Sequence, residues 1–172
     1  MSTFVTYLRL GLDHLLTWGA LDHLLFLAAL VLGFGAREWK RVVVVVTAFT
    51  LGHTVTLALA TLDVVRLSSR VVETAIPATI VVTSLLNVWS VRTTEGSASG
   101  GQVRGARRPG RAWGRYVLAL AFGLVHGLGF SGVLRALLGG EESLLVPLLA
   151  FNVGLEVAQV VVIAAFAVVT WG

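Results

Sequence analysis

Five long apolar stretches constrain this chain more than any other feature, each close to the ~20 residues that cross ~30 Å of hydrocarbon. They run from about Gly19 to Gly35, Trp39 to Leu62, Ser69 to Val91, Tyr116 to Leu138 and Leu144 to Trp171. Hydrocarbon offers no water to an unpaired backbone N–H or C=O, so open sheet edges are excluded and each stretch reads as helix. The predicted fold class is all-α: a polytopic transmembrane bundle of about five spanning helices in one domain over 1–172. The composition agrees, with 56% hydrophobic and only 13% charged residues among 172, against roughly 25% charged in soluble domains. A chain this short cannot enclose so much apolar surface in water. Its expected partner is the lipid bilayer.

The segment from Ser2 to Trp18 differs, because Arg9, Asp13 and His14 interrupt it. Joined to the first stretch it would exceed ~45 Å at ~1.5 Å per residue. A break is therefore expected near Thr17-Trp18-Gly19, with a short N-terminal interfacial or re-entrant helix before it. The N-terminus lacks the basic region of a signal peptide, so no cleaved signal is expected. Residues of about 93–113 combine Gly and Ser with Arg104, Arg107, Arg108 and Arg111, the composition of a flexible basic loop.

Charge predicts orientation. Arg37, Lys40 and Arg41 follow the first span, and Arg92, Arg104, Arg107, Arg108, Arg111 and Arg115 follow the third. With five spans both groups fall on one side. The positive-inside rule makes that side cytoplasmic, with the N-terminus outside and the C-terminus inside a bacterial-type inner membrane. The net charge of +4 and pI near 10.7 are read as topology rather than nucleic-acid binding. The chain has no cysteine, which excludes disulfides, thiolate metal sites and iron–sulfur clusters. No phosphate-binding glycine loop is present, and no internal repeat is evident.

Ionisable groups in hydrocarbon cost ~2.5–3.5 kcal/mol or more each, so they tend to face the bundle interior and to have a role. All four histidines lie in or beside the apolar stretches. Asp22-His23 opens the first, where an aspartate beside a histidine can fix its tautomer or join it as a ligand. His14 lies just before. In the second, Thr50, His53 and Thr54 share a helical face. In the third, Glu73, Pro77, Ser84 and Asn87 align. The fourth places His126 beside Gly123 and Gly127, a small-xxx-small pair that admits a close neighbour. The fifth carries Asn152, Glu156 and Gln159 as one polar stripe. At ~1.5 Å per residue, His23 and His53 fall in the outer third of the membrane and His126 near its middle. Imidazole and carboxylate without sulfur suit Ni²⁺, Co²⁺, Zn²⁺ or Fe²⁺ and suit Cu(I) poorly.

Several motifs are familiar together: Asp22-His23-Leu24-Leu25-Phe26-Leu27, Phe49-Thr50-Leu51-Gly52-His53-Thr54-Val55-Thr56-Leu57, Glu73 with Asn87, Phe122-Gly123-Leu124-Val125-His126-Gly127-Leu128-Gly129-Phe130 and Phe151-Asn152-Val153-Gly154-Leu155-Glu156. In this order they resemble the HupE/UreJ family of hydrogenase and urease accessory membrane proteins. The resemblance implies a nickel or cobalt permease, with Asp22, His23, His53, His126 and Glu156 at functional positions. His14 stands slightly farther from the Asp-His pair than the family's histidine does.

Three functions fit these residues. The first is a membrane permease or binding protein for a divalent transition metal, Ni²⁺ or Co²⁺ ahead of Zn²⁺. Its ligands would be His14, Asp22, His23, His53, His126 and Glu156, with Thr50, Glu73, Asn87, Asn152 and Gln159 as polar support. The second is an intramembrane metalloenzyme of zinc-hydrolase or iron-oxidase type. The third is a metal-binding subunit of a homo-oligomer or larger membrane complex.

Overall fold

The computed structural model describes residues 2–17, 20–32, 34, 36–98, 109–138 and 143–171. Six helices account for nearly all of them: α1 (Thr3–Leu16), α2 (Leu21–Leu32), α3 (Trp39–Thr61), α4 (Ser69–Ala98), α5 (Pro109–Leu138) and α6 (Leu145–Trp171), with a 3-10 turn at Ala36–Glu38. No strand occurs among the described residues. α3, α4, α5 and α6 are each long and apolar enough to cross a membrane. Their outward faces carry Val43, Leu51, Val81, Leu85, Leu120, Val157 and Val160, an apolar surface that suits lipid rather than water. The protein is an all-helical, multi-pass membrane bundle.

The break expected after Ser2–Trp18 is present, and it changes the account of the first span. α2 has only 12 residues, about 18 Å at ~1.5 Å per residue, too little to cross alone. α1 folds against the bundle, packing along α6. The two helices, inclined by 69°, pass the length and apolarity test only together. The ends of the stretch expected as a loop are helical, since α4 runs on to Ala98 and α5 begins at Pro109. Residues 99–108, with Arg104, Arg107 and Arg108, lie outside the described residues.

Glycines set the tightest contacts. A Cβ on Gly123 would collide with the carbonyl oxygen of Phe49 and come within 3.0 Å of the His53 nitrogen. A Cβ on Gly127 would meet the His53 carbonyl, and one on Gly52 the Leu120 carbonyl. Moving four residues along α5 therefore moves about four along α3, so the two helices run parallel with backbones in contact. Such approach is open only to glycine and brings Cα–H groups onto facing carbonyls. α6 runs antiparallel to α3: Thr50 meets Gln159 at 2.7 Å while Thr54 meets Asn152 at 2.5 Å. The Tyr7 hydroxyl donates to the Leu137 carbonyl at 3.3 Å, which sets the start of α1 beside the end of α5. At the opposite end the Arg115 guanidinium lies 4.7 Å from the Phe34 ring centre, where a cation is drawn to the ring face.

The α1–α6 contact repeats the α3–α5 contact. A Cβ on Gly11 would strike the Phe151 carbonyl and approach the Leu155 nitrogen to 3.0 Å, as Gly123 does with Phe49 and His53. A Cβ on Gly154 would strike the Leu8 carbonyl and approach the Leu12 nitrogen, as Gly52 does with Leu120 and Leu124. The sequences correspond: Leu8, Gly11, Leu12, His14 and Leu16 match Leu120, Gly123, Leu124, His126 and Leu128, while Phe151, Gly154 and Val157 match Phe49, Gly52 and Val55. The chain therefore does contain a repeat, contrary to the sequence expectation. Its halves, α1 to α3 and α5 to α6, are packed crosswise and run in opposite directions. Inverted repeats of this kind recur in secondary transporters, with the substrate site at the repeat interface.

A buried four-histidine centre

Four helices each deliver one imidazole to the middle of the bundle: His14 from α1, His23 from α2, His53 from α3 and His126 from α5. The His23 ring centre lies 4.9 Å from His14, 4.9 Å from His126 and 5.8 Å from His53, and His14 and His53 are 6.1 Å apart. His14 and His126 occupy equivalent positions in the two repeats, so His23 stands midway between repeat-related partners. The aromatic surroundings follow the same relation: His14 lies 5.6 Å from Phe151, and His126 lies 5.3 Å from Phe49. His53 has Leu155 as its equivalent, so that symmetry stops there.

Lone pairs face inward unpaired. His53 and His126 are fully buried and His23 is 5% exposed. Even so, among the described residues His14 Nε2, His23 Nε2, both nitrogens of His53 and His126 Nδ1 have no hydrogen-bond partner. Buried polar atoms rarely remain unpaired, and each one calls for an explanation. A cation would satisfy one nitrogen of each ring that reaches it, and a second His53 nitrogen would remain unpaired.

Two of the rings are oriented by neighbours. Asp22 Oδ1 accepts from the His23 backbone N–H at 2.8 Å and lies 3.1 Å from His23 Nδ1. A carboxylate oxygen can only accept, so Nδ1 carries the proton and Nε2 presents its lone pair. The Thr79 hydroxyl lies 2.6 Å from the Ile76 carbonyl and 2.9 Å from His126 Nε2. Its single proton goes to the carbonyl, which can only accept. It therefore accepts from His126 Nε2–H and leaves Nδ1 as the free donor atom. In both rings the nitrogen so freed is the unpaired one.

One ligand atom from each of Asp22, His23 and His126 falls within 4.8 Å of the others. A first-row divalent ion with ~2.0–2.2 Å bonds needs donors no more than ~4.4 Å apart, so binding draws these three slightly together. A cavity of about 420 Å³ adjoins the centre, lined by Asp13, His14, Thr17, Asp22, His23 and Phe130 among others. Asp22, whose side chain is 34% exposed, faces into it.

The other expected polar residues lie elsewhere. Glu156 is exposed on α6 and makes no hydrogen bond or ion pair among the described residues. Glu73 is exposed on α4. The Asn87 amide donates to the Ala29 carbonyl at 2.5 Å and so ties α4 to α2. Thr50 with Gln159, and Thr54 with Asn152, join α3 to α6. These groups hold helices together rather than line a path. Thr79 was not legible as a site residue. Its position two after Pro77 gives no signal, because only the fold sets it against His126.

The whole chain, residues 1–172, matches the model of a protein family described as HupE / UreJ protein. No curated protein and no solved structure matches it. The glycine-locked helices, the Asp22-His23 pair and the three further histidines lie within that match, and the chain belongs to the HupE/UreJ family.

Proposed function

We propose that the protein is a membrane permease for a divalent transition metal, with Ni²⁺ or Co²⁺ as the cargo. The observation that carries this reading is the convergence of four imidazoles from four helices, with five ring nitrogens buried and unpaired. His14, His23, His53 and His126, with Asp22 beside them, are the groups that replace the ion's hydration shell. The donors are all nitrogen and oxygen, which suits Ni²⁺, Co²⁺ or Zn²⁺ and disfavours Cu(I). The family adds weight to nickel and cobalt. The inverted repeat supports transport over binding alone, because its two histidines flank the site from opposite halves. Orientation follows the arginines, with the cavity at the outer side of an inner membrane, the N-terminus outside and the C-terminus in the cytoplasm.

A metalloenzyme needs a carboxylate free to act as base beside the metal. Asp22 is hydrogen-bonded to His23 through Oδ1 and Glu156 is exposed on α6, which leaves Asp13, in the cavity beside His14, as the carboxylate an enzyme would have to use. The test is uptake of radioactive nickel or cobalt into proteoliposomes. The wild-type chain accumulates label, and His53→Ala, His126→Ala reduces it to background. Equal uptake by both would refute the reading.

A further inference from the structure

The cavity lies against one side of the centre. On α1, the cavity residues Leu10 and Asp13 precede His14. On α5, Gly129 and Phe130 follow His126, and on α4 Ile76 precedes Thr79. α1 and α5 run in opposite directions, so all of these lie on the same side of the histidines. On the other side stand Phe26, which follows His23, Phe49, which precedes His53, and Phe122, which precedes His126. The Phe26 ring centre lies 4.8 Å from Phe49 and 6.0 Å from Phe122. Phe26 and Phe49 are 5.1 Å and 5.3 Å from His126, and both are fully buried. Rings in contact at these spacings leave no room for an ion between them.

We propose that Phe26, Phe49 and Phe122 form the closed gate of a second access route, on the side of the histidine centre opposite the cavity. The proposal rests on the permease reading. The repeat supplies the mechanism. Phe151 is the equivalent of Phe49, and on the cavity side it stacks on Phe130 at 5.1 Å and 14°, beside an open cavity rather than across it. The structure is one of two related states: cavity open, three-ring gate shut. In the other state the cavity-side aromatics close and the three rings part. The moving bodies are the α1–α6 and α3–α5 pairs, each fixed internally by its glycine contacts, and their relative motion must exchange the Thr50–Gln159 and Thr54–Asn152 bonds that join α3 to α6. A route sealed by phenylalanines passes an ion only when the rings separate, so the two routes need never be open together.

The absence of native cysteine makes a direct test available. Asp13→Cys and Val45→Cys, each the sole cysteine, are treated with a membrane-impermeant maleimide from either face of sealed vesicles. Val45 is fully buried one turn beyond Phe49. Asp13→Cys is expected to react from one face. Val45→Cys is expected to be inert until Phe49→Ala is added, and then to react several-fold faster from the opposite face. Should Phe49→Ala fail to insert, Phe26→Leu, Phe49→Leu thins the gate while keeping apolar bulk, and a smaller gain of the same sign is expected. Inert Val45→Cys in both gate variants, or labelling from the same face as Asp13→Cys, overturns the proposal. Cobalt binding by equilibrium dialysis separates the two readings. Retained binding with unchanged labelling overturns the gate alone, and opened labelling without any cobalt binding overturns the metal reading alone.

Discussion

Thr79→Val removes one hydroxyl and almost no volume from behind a histidine of the centre. His126 Nε2–H donates to the Thr79 oxygen at 2.9 Å in surroundings where Thr79 is 6% and His126 0% exposed. In the valine variant, a metal-bound His126 that keeps Nδ1 on the ion must leave Nε2–H buried without a partner. Such an orphaned donor costs ~1–3 kcal/mol. In the metal-free valine variant His126 Nδ1 is also buried without a partner, so a tautomer shift does not remove the cost, and ~1–3 kcal/mol is the upper bound on what binding loses. At ~1.4 kcal/mol per tenfold, cobalt affinity should drop by up to about 100-fold, the upper end of the range seen when partners behind metal ligands are removed. Thr79→Ser keeps the hydroxyl and should recover most of the loss. Affinity is read by equilibrium dialysis, and the tautomer by nitrogen-15 NMR of the metal-free protein, with Nε2 protonated in the wild type and mixed in Thr79→Val. Valine and threonine forms that bind within about twofold of each other, or a serine form as weak as the valine one, would refute the assignment.

Two further substitutions separate packing from the site. Gly123→Ala sets a Cβ against the Phe49 carbonyl, and backbone cannot rotate aside, so α3 and α5 must part. A loss of ~1–3 kcal/mol is expected, seen as a lower melting temperature in detergent, whereas Gly114→Ala, with nothing within 4 Å, should melt at or above the wild-type temperature. Glu156→Gln should leave cobalt affinity unchanged, because Glu156 is exposed on α6, while His14→Ala measured in parallel should weaken it.

The sequence shows the spans plainly because hydrocarbon thickness acts on each helix separately: Trp39, Ser69 and Leu138 mark helix ends within a residue or two of where hydropathy puts them. Asp22, His23, His53 and His126 stand out because charge and imidazole are costly in lipid. Depth was harder to read. Counting residues separates His23 and His53 from His126, yet they share one centre, because the fourth span begins at Trp113 rather than Tyr116, which puts His126 at a depth close to that of His53 on the span that begins at Trp39. The repeat was hidden for another reason. Its matches are a few spaced leucines, glycines and a histidine, and its halves pack crosswise, so no window of neighbouring residues displays it. The polar stripe on α6 divided by direction: Asn152 and Gln159 turn to α3 and find threonines, while Glu156, on the same stripe, is exposed. Spacing alone cannot tell a side chain that faces a partner helix from one that faces lipid.

His23 has a position no other ligand shares. It lies 4.9 Å from each of two histidines that the repeat makes equivalent. His14 and His23 line the open cavity, while His126 touches the closed aromatic side. Two overlapping half-sites result, one built on His14 and His23, the other on His23, His126 and Asp22. In the proposed permease, an ion passing from one to the other would keep His23 throughout and exchange only the flanking imidazole, so that no step would leave it without protein donors. Removal of either flank should therefore weaken binding and slow transport while leaving measurable cobalt bound. His23→Ala removes a ligand from both half-sites and leaves Asp22 without its hydrogen-bonding partner, so it should abolish both. Dialysis of cobalt against His14→Ala, His126→Ala and His23→Ala in one series decides the matter. Equal losses from all three would mean a single rigid site, and retention by His23→Ala would mean that the shared position is not the ion's.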